Sequence, residues 1–288
     1  MILNIFKATR PLNLMIILAV QIMAAYFLGF GNSVYEVFDK VHFSIYLSTL
    51  LCAIFGYLFN DFMDQKADSI NKPSLNYLSI SSIRSTALIV SLSSAIAAIL
   101  TGFILSFKLG VFNTLAISLL FLYNIFLKRL PLIGNLIIAA LGAFPVFILL
   151  FFDNNLNKDL ILIFSINAFF IHLIREIIKD TQDIDGDEAA GYSTFPLMAG
   201  IKATRILLLF LMFTYILIFT TCARLMMVRY FSEPLNYIFL TYNVICIGVP
   251  LFHLLSKLQL ATEKNEFRYL NKVALYIIVT GSLSMLFF

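Results

Sequence analysis

The chain has 288 residues and a formal net charge of +4; 61% of its residues are hydrophobic and only 12% are charged. Soluble globular domains carry roughly 25% charged residues. This deficit, with a mean hydropathy of +0.94, excludes that class and indicates an integral membrane protein. The sequence has no Cys-x-x-Cys spacing, no His-Glu-x-x-His motif and no glycine-rich nucleotide loop, so zinc chemistry and nucleotide binding are not predicted.

Apolar runs separated by glycine and proline predict the membrane spans. A chain of this length accommodates about nine spans of roughly 20 residues with short connections. The spans are predicted at 12–30, 41–60, 83–105, 109–127, 132–151, 159–178, 203–224, 235–256 and 269–288. Four spans followed by a group that begins near Pro131 suggest two similar four-helix halves plus one helix, although sequence identity between the halves is slight. We therefore predict an all-α membrane bundle that forms a single domain over residues 1–288.

The distribution of basic residues predicts the orientation of this bundle. If the N-terminus is cytoplasmic, the Lys and Arg residues on the far side are Lys40, Lys108, Lys158, Arg224 and Arg229. All the others fall on the cytoplasmic side, as the positive-inside rule requires. The two longest connections, 61–82 and 179–202, then face the cytoplasm, and long loops in compact bundles are usually functional. We expect a protein of the cell's inner (cytoplasmic) membrane whose active-site loops face the cytoplasm.

Two aspartate clusters with the same spacing lie in these two connections, each after a long apolar run. They are Asp61, Asp64 and Asp68 in the first, and Asp180, Asp183 and Asp187 in the second. A spacing of i, i+3 and i+7 gathers three carboxylates on one helical face, where without a partner they repel each other. Carboxylate oxygens suit Mg²⁺, so we predict two metal centres; the competing interpretation is a pair of solvated acidic loops.

Basic side chains near the clusters suggest the substrate. Mg²⁺ usually takes one or two protein carboxylates and completes its shell with water and phosphate oxygens, so a diphosphate is the natural ligand. The candidate cations for it are Lys72, Lys128, Arg129, Arg175 and Lys179. They could instead serve only as topology determinants, and Glu176 could simply neutralise Lys179 at i+3. His172 is interpreted as a buried hydrogen-bonding residue rather than a metal ligand.

Several motifs resemble those of the UbiA-type intramembrane prenyltransferases, and the resemblance covers essentially the whole chain. The first-half motifs are Arg10-Pro11-Leu12-Asn13, Asn60 to Asp68 followed by Ile70 to Pro73, Tyr123 to Lys128, and Gly134-Asn135. The second motif comprises Arg175 to Asp180, Asp183, Gly186-Asp187, Thr194, Pro196 and Gly200; it resembles the geranylgeranylglyceryl phosphate geranylgeranyltransferase branch. One departure is Ser74-Leu75, where most members carry a further basic residue.

The resemblance implies nine helices around a central lipid-open cavity that the two aspartate-bearing loops cap. It assigns Asp61, Asp64, Asp180 and Asp183 to Mg²⁺ on the diphosphate, with Asp68 and Asp187 as supporting metal residues and Asn60 behind them. It assigns Arg10, Lys72, Lys128 and Lys179 to the diphosphate oxygens. Asn13 is grouped with the substrate-binding residues, and Tyr123 would line the reacting end.

The expected activity is Mg²⁺-dependent transfer of a polyprenyl group, of geranylgeranyl type, from its diphosphate to the hydroxyl of a prenylglyceryl phosphate lipid. Arg175 and Lys179, at i and i+4, would offer a phosphate on the acceptor a pair of cations; alternatively, Arg175 pairs with Glu176. Two other interpretations stay open: an aromatic acceptor, or a non-catalytic lipid-binding membrane protein. A transporter is disfavoured because carrier sites usually lie at the bilayer midplane. Neither a nucleic acid nor an obligate protein partner is predicted.

Overall fold

The computed structural model describes residues 2–29, 33–71 and 81–288 of the chain. Within these ranges the backbone is helical apart from short connections and one isolated bridge between Gly29 and Leu156. The predicted all-α architecture is therefore confirmed for this part of the chain. Lys72 and the Ser74-Leu75 departure lie outside the described residues.

Eight helices in the described part of the chain are long and apolar enough to cross a membrane. They span Lys40–Met63, Ile83–Leu105, Phe107–Ile125, Ile133–Phe151, Lys158–Gln182, Phe195–Tyr230, Leu235–Leu260 and Lys264–Phe287, and a shorter apolar helix spans Pro11–Phe27. Each predicted span corresponds to one of these nine segments. The largest difference is at Phe195–Tyr230, which starts before the predicted residue 203. Gly200, with φ 79° and ψ 163°, interrupts this helix, so a short turn of helix precedes the apolar span.

The chain divides into two compact units, and the first comprises Met1–Ile22, Ser33–Gly134 and Asp185–Ser193. Its helices are α1 (Ile2–Ala8), the start of α2 (Pro11–Phe27), α3 (Val34–Val37), α4 (Lys40–Met63), α5 (Gln65–Asn71), α6 (Ser81–Leu105) and α7 (Phe107–Ile125). Small residues let these helices approach closely: a Cβ on Gly102 of α6 would lie 2.9 Å from the Gly110 Cα of α7. Asn113 of α7 then reaches across and donates to the Ala98 carbonyl at 2.8 Å.

The second compact unit comprises Met23–Asn32, Asn135–Ile184 and Thr194–Phe288. Its helices are α8 (Ile133–Phe147) from Asn135 onward, α9 (Lys158–Gln182), α11 (Phe195–Tyr230), α12 (Leu235–Tyr242), α13 (Val249–Leu260) and α14 (Lys264–Leu283). Helix α9 packs against both α11 and α14. A Cβ on Gly142 of α8 would lie 2.8 Å from the His172 ring of α9, so this ring fills the space that the glycine leaves.

The division of the chain falls between Gly134 and Asn135, close to the predicted start of the second half at Pro131. One exception bears on function: the segment Asp185–Ser193, which includes all but the first residue of the short helix α10 (Ile184–Ala190), belongs to the first unit. Similarity between the halves and a single domain over residues 1–288 stay predictions.

Candidate functional site

The first aspartate cluster lies where α4 ends and α5 begins. Asp61 is in the last turn of α4, Asp64 is its C-terminal capping residue, and Asp68 is in the first turn of α5. The expected single helical face is therefore interrupted at Asp64, which has φ −90° and ψ 13°. The backbone bonds continue across the break, since Asp64 N–H donates to Asn60 at 2.9 Å and Asp68 N–H donates to Asp64 at 2.8 Å.

Arg10 holds the Asp61 carboxylate in this cluster. Its Nη2 atom lies 2.7 Å from Asp61 Oδ1, and its guanidinium lies over the Tyr57 ring, 4.9 Å from the centroid. Burial alone would lower the pKa of Arg10, but the charge of Asp61 and the nearby Tyr57 raise it above its usual value. Arg10 has φ 53°, a left-handed conformation that is uncommon outside glycine and is found preferentially at functional sites.

Asp64 has three side-chain partners in the first unit: Lys128 and Tyr192 from distant parts of the sequence, and Asn60 from the preceding turn. Its Oδ1 atom pairs with the ammonium of Lys128 and accepts a 2.8 Å hydrogen bond from the Tyr192 hydroxyl. Its Oδ2 atom accepts a 2.8 Å bond from Asn60 Nδ2, which also donates to Asn124 Oδ1 at 2.9 Å. Lys128 is only 8% exposed, so this ion pair is shielded from water. Among the predicted residues, the structure thus brings Asn60, Asp64 and Lys128 together.

Sequence reasoning missed Tyr192, the third partner of Asp64. Burial raises the pKa of the Tyr192 hydroxyl above its usual value; the charge of Arg129 opposes this shift, and those of Asp187 and Asp68 add to it. Tyr192 lies close to Asp64 because α10 packs tightly on α5 at Gly186. A Cβ atom added to Gly186 would lie 2.6 Å from the Ala67 carbonyl oxygen. The sequence feature that could have pointed to this contact is Gly186 of the second motif, because glycine often marks a position where two backbone segments approach closely.

The second aspartate cluster is divided by this docking. Asp180, in the last turn of α9, and Asp183, its C-terminal capping residue, belong to the second unit, whereas Asp187 belongs to the first. The expectation that Asp187 continues one helical face with the other two is wrong, because α9 ends at Gln182 and a new helix starts at Ile184.

Neutral amides donate hydrogen bonds to Asp180 and Asp183. Asn135 Nδ2 donates to Asp180 Oδ2 at 2.7 Å. Gln182 Nε2 donates to Asp183 Oδ1 at 3.2 Å, and its own Oε1 accepts a 3.2 Å bond from Asn271 Nδ2 of α14. Gln182 and Asn271 carried no sequence signal for this role.

The cations of the second motif pair with Glu176, one turn before Asp180. Lys179 Nζ lies 3.2 Å from Glu176 Oε2, and Arg175 Nη1 lies 3.4 Å from Glu176 Oε1. Glu176 is 5% exposed, and the Nε atom of Arg175 is buried without a hydrogen-bond partner. The structure therefore shows the neutralisation of Lys179 by Glu176 that the sequence left as one interpretation.

The remaining predicted residues are placed as follows. Tyr123 is half-buried next to Gly134. A Cβ atom added to Gly134 would lie 3.2 Å from the Tyr123 ring and 3.0 Å from the Lys128 Cα atom. Asn13 donates its backbone N–H to the Arg10 carbonyl at 2.9 Å. Both contacts concern local packing and leave the substrate roles as predictions.

The carboxylate oxygens of the two aspartate clusters are ligands that suit Mg²⁺. The structure does not, however, group three of these residues, all of which it describes, around a single position. Among the described residues, no group of three or more His, Cys, Asp or Glu side chains is arranged to hold a metal ion. Mg²⁺ needs only one or two carboxylates when substrate and water supply the other oxygens, as Asp61 with Asp64, or Asp180 with Asp183, would provide. Each of these four carboxylates is already oriented by a hydrogen bond or an ion pair.

The model of the UbiA prenyltransferase family matches residues 14–277, so the chain belongs to that family. It is 32% identical to the digeranylgeranylglyceryl phosphate synthase of Sulfolobus acidocaldarius, over 77% of this chain and 76% of that protein. It is also 32% identical to the enzyme of the same name from Thermococcus sibiricus, over 57% of this chain. That match spans 58% of the relative's length, and the match to the Pyrococcus furiosus enzyme spans 53%.

Solved structures share the fold. One of a digeranylgeranylglyceryl phosphate synthase in membranes has a TM-score of 0.69 at 18% identity and covers 99% of this chain and 98% of its own. A UbiA homologue from Archaeoglobus fulgidus bound to GPP and Mg²⁺ has a TM-score of 0.67 at 14% identity and covers 98% and 99%. The expected family and the all-helical membrane fold are thus confirmed, and the roles of individual site residues stay predictions.

Proposed function

We propose that this protein transfers a geranylgeranyl-type prenyl group from its diphosphate to the hydroxyl of a prenylglyceryl phosphate lipid, with Mg²⁺ as cofactor. The observation that carries the proposal is the arrangement at Asp64, where a buried Lys128 and the Asn60 amide hold a carboxylate within a UbiA-family chain. The names of the synthase relatives support this donor and acceptor.

The carboxylates and cations of the first unit are suited to a diphosphate leaving group. Asp61 and Asp64 would hold one Mg²⁺, and Asp180 and Asp183 of the second unit another. Bound Mg²⁺ neutralises the charge that develops on the diphosphate as the allylic C–O bond breaks. Lys128 and Arg10 are each paired with a carboxylate of the first cluster, and this supports the proposal that they bind diphosphate oxygens beside the metal. Stabilising this leaving group is the main electrostatic task of the reaction.

The membrane setting suits the other half of the reaction. The allylic fragment becomes electron-deficient as the bond breaks, and water would quench it, so the reaction needs a dry environment. Aromatic faces stabilise such a cation, and Tyr123 is our candidate for the reacting end. The acceptor hydroxyl then forms the new C–O bond and loses its proton.

Arg175 and Lys179 are our candidates for the phosphate of the acceptor lipid. Glu176 pairs with both and so holds the two cations on one helical turn. Arg175 retains a buried Nε donor without a partner, which a phosphate oxygen would satisfy. An aromatic acceptor has no phosphate and would make no use of this donor.

We further propose that the aspartate-bearing segments face the cytoplasm and that residues 1–288 act as one domain. The support is the positive-inside distribution of Lys and Arg. Single cysteines near Asp68 and Ala189 should react with an impermeant thiol reagent applied from the cytoplasmic side, and those at Asn154 and Ser232 only from the other side. Labelling of Asn154 and Ala189 from the same side would contradict this orientation.

The activity itself is tested with purified protein, labelled prenyl diphosphates of different lengths and a panel of acceptors. We expect Mg²⁺-dependent transfer to a prenylglyceryl phosphate, with greatest activity for a geranylgeranyl-length donor. Transfer to a phenol or naphthol but not to the glycerophosphate lipid would replace the acceptor assignment. Lipid binding without any transfer would leave the protein as a non-catalytic member of the family.

A further inference from the structure

Tyr192 contacts the first aspartate cluster from a loop far away in the sequence. Its hydroxyl donates to Asp64 Oδ1 at 2.8 Å across 128 sequence positions. Asp64 is at the one-residue interruption between α4 and α5, so its carboxylate is not oriented by a regular helix. The orientation of this carboxylate therefore depends on the groups that donate to it.

The ring of Tyr192 has a second contact, with Lys128. The ammonium of Lys128 lies 4.5 Å from the ring centroid, within the range of a cation–π attraction. Because Lys128 also pairs with Asp64 Oδ1, one tyrosine touches both members of a shielded ion pair. The hydroxyl and the ring thus act on two different charged groups.

The backbone around Tyr192 places it firmly on the first unit. Its N–H donates to the Asp187 carbonyl at 2.9 Å, and Gly191 before it has φ 74°, the left-handed conformation that glycine adopts without cost. Gly186 N–H donates to Asn71 Oδ1 at 3.1 Å and ties the same segment to α5. The position of Tyr192 follows from these anchors.

We propose that Tyr192 is a positioning residue of the first aspartate cluster: its hydroxyl orients Asp64 for the divalent cation and its ring holds Lys128 for the diphosphate. This inference rests on the proposed function for the identity of the ligands. Partners that orient a metal-binding carboxylate typically change metal affinity or activity by about 10- to 100-fold when removed.

Two substitutions separate the two contacts. Tyr192→Phe removes the hydroxyl and keeps the ring over Lys128, whereas Tyr192→Leu removes both. The matched control is Tyr237→Phe, because Tyr237 also donates its hydroxyl to a carboxylate, Glu233 at 2.9 Å, but at an exposed position in the second unit.

The first measurement is Mn²⁺ binding by electron paramagnetic resonance on purified protein without substrate. We expect Tyr192→Phe and Tyr192→Leu to weaken Mn²⁺ binding by about tenfold or more. Tyr237→Phe should match the unsubstituted protein. Unchanged Mn²⁺ binding in Tyr192→Phe would overturn the role of the hydroxyl.

The second measurement separates the ring from the hydroxyl through the KM for the prenyl diphosphate at saturating Mg²⁺. We expect a KM within about twofold of normal in Tyr192→Phe and a rise of about fivefold or more in Tyr192→Leu, since Lys128 then lacks its aromatic contact. Equal KM values in the two variants would overturn the role of the ring. Thermal unfolding in detergent verifies that the Phe variant is folded.

Failure of this inference can be told apart from failure of the proposed function. If the unsubstituted protein binds Mn²⁺ and transfers prenyl groups while Tyr192→Phe behaves normally in both assays, the inference fails alone. If Tyr192→Phe loses Mn²⁺ affinity but no prenyl group is transferred to any acceptor, the proposed function fails and the positioning role stands. An unsubstituted protein that binds no Mn²⁺ overturns the inference, whereas the proposed function is decided by the transfer assay alone.

Discussion

The two aspartate clusters share one sequence spacing but differ in what holds them. In the first, Arg10 and Lys128 pair with Asp61 and Asp64, so the carboxylates are balanced by full positive charges. In the second, the amides of Asn135 and Gln182 orient Asp180 and Asp183. Identical spacing therefore does not imply an identical electrostatic setting.

The cause of the difference lies in the neighbours of each cluster. Helix α9 carries its own counterion, Glu176, with which both Arg175 and Lys179 pair one turn before Asp180. Helix α4 has no acidic residue in the turns before Asp61, and its cations come from other elements. The cations of the first cluster thus come from other elements, whereas Arg175 and Lys179 lie on the same helix as Asp180 and pair with Glu176.

The largest expected effect comes from Asp64→Ala compared with Asp183→Ala. Both should lose more than about 90% of prenyl transfer. Asp64→Ala should also destabilise the protein by about 3 kcal/mol, because it removes the carboxylate that pairs with the shielded Lys128 ammonium. Asp183→Ala should cost less, about 1 kcal/mol, because the Asp183 carboxylate accepts its hydrogen bond from the neutral amide of Gln182. Activity assays and thermal unfolding in detergent measure the two effects.

Equal loss of stability in these two variants would contradict the comparison. Retention of more than about a tenth of the activity in both would contradict the assignment of a metal to each cluster, since that loss corresponds to only about 1.4 kcal/mol of barrier.

The next prediction concerns the segment Asp185–Ser193, which contains part of the second motif but packs in the first unit. In Gly186→Ala, the added methyl group would meet Asn71 and the Ala67 carbonyl oxygen, so we expect destabilisation of about 1–3 kcal/mol and loss of the Tyr192 contact to Asp64. Gly281→Ala in α14 is the matched control, because a Cβ there meets nothing within 4 Å. A normal melting temperature and normal Mn²⁺ binding in Gly186→Ala would show that this docking is unimportant.

Arg175→Gln tests which of the two substrates is bound by Arg175, beside the second cluster. We expect the KM for the prenylglyceryl phosphate to rise about tenfold and that for the prenyl diphosphate to change by less than about twofold, because a contact to one substrate is lost. Steady-state kinetics with each substrate varied in turn provides the measurement. If both KM values rise together, Arg175 serves the donor, and the two clusters are more alike than we infer.

The smallest effect is expected for Asn271→Ala. This substitution removes the hydrogen bond from Asn271 to Gln182, whose amide in turn donates to Asp183. Loss of one neutral hydrogen bond costs about 1 kcal/mol, so a several-fold rise in the Mg²⁺ concentration for half-maximal activity is expected. The control is Asn265→Ala, an exposed residue in the first turn of the same helix. An unchanged Mg²⁺ requirement would show that Asp183 is oriented without α14.

The fold could be predicted in large part from the sequence because each span carries its own apolar signal. Helix α9 was expected at 159–178 and is observed at Lys158–Gln182. Its extra turn consists of polar residues, which have no apolar signal but continue the helical hydrogen bonds. The helix breaks at Asp64 and Asp183 were not predicted, because a one-residue break between two helices does not change the spacing of the aspartates in the sequence.

The site was predicted unevenly. Asp64, Asn60 and Lys128 were found because motif spacing and charge mark them, and they are in contact in the structure. Tyr192 and Asn271 were missed because their contacts cross 128 and 89 sequence positions and leave no periodic pattern. Gly186 was recognised as part of a motif, but its meaning as a docking point needed the neighbouring helix.

The sequence by itself therefore determined the membrane class, the positions of the spans and the chemical groups available for a metal and a diphosphate. Only the tertiary structure decided which cation pairs with which aspartate of the first cluster: Arg10 with Asp61, and Lys128 with Asp64. The physical reason is that a Coulomb interaction depends on the distance between charges and on their exclusion from water. Neither quantity can be read from spacing along the chain when the partners come from different helices.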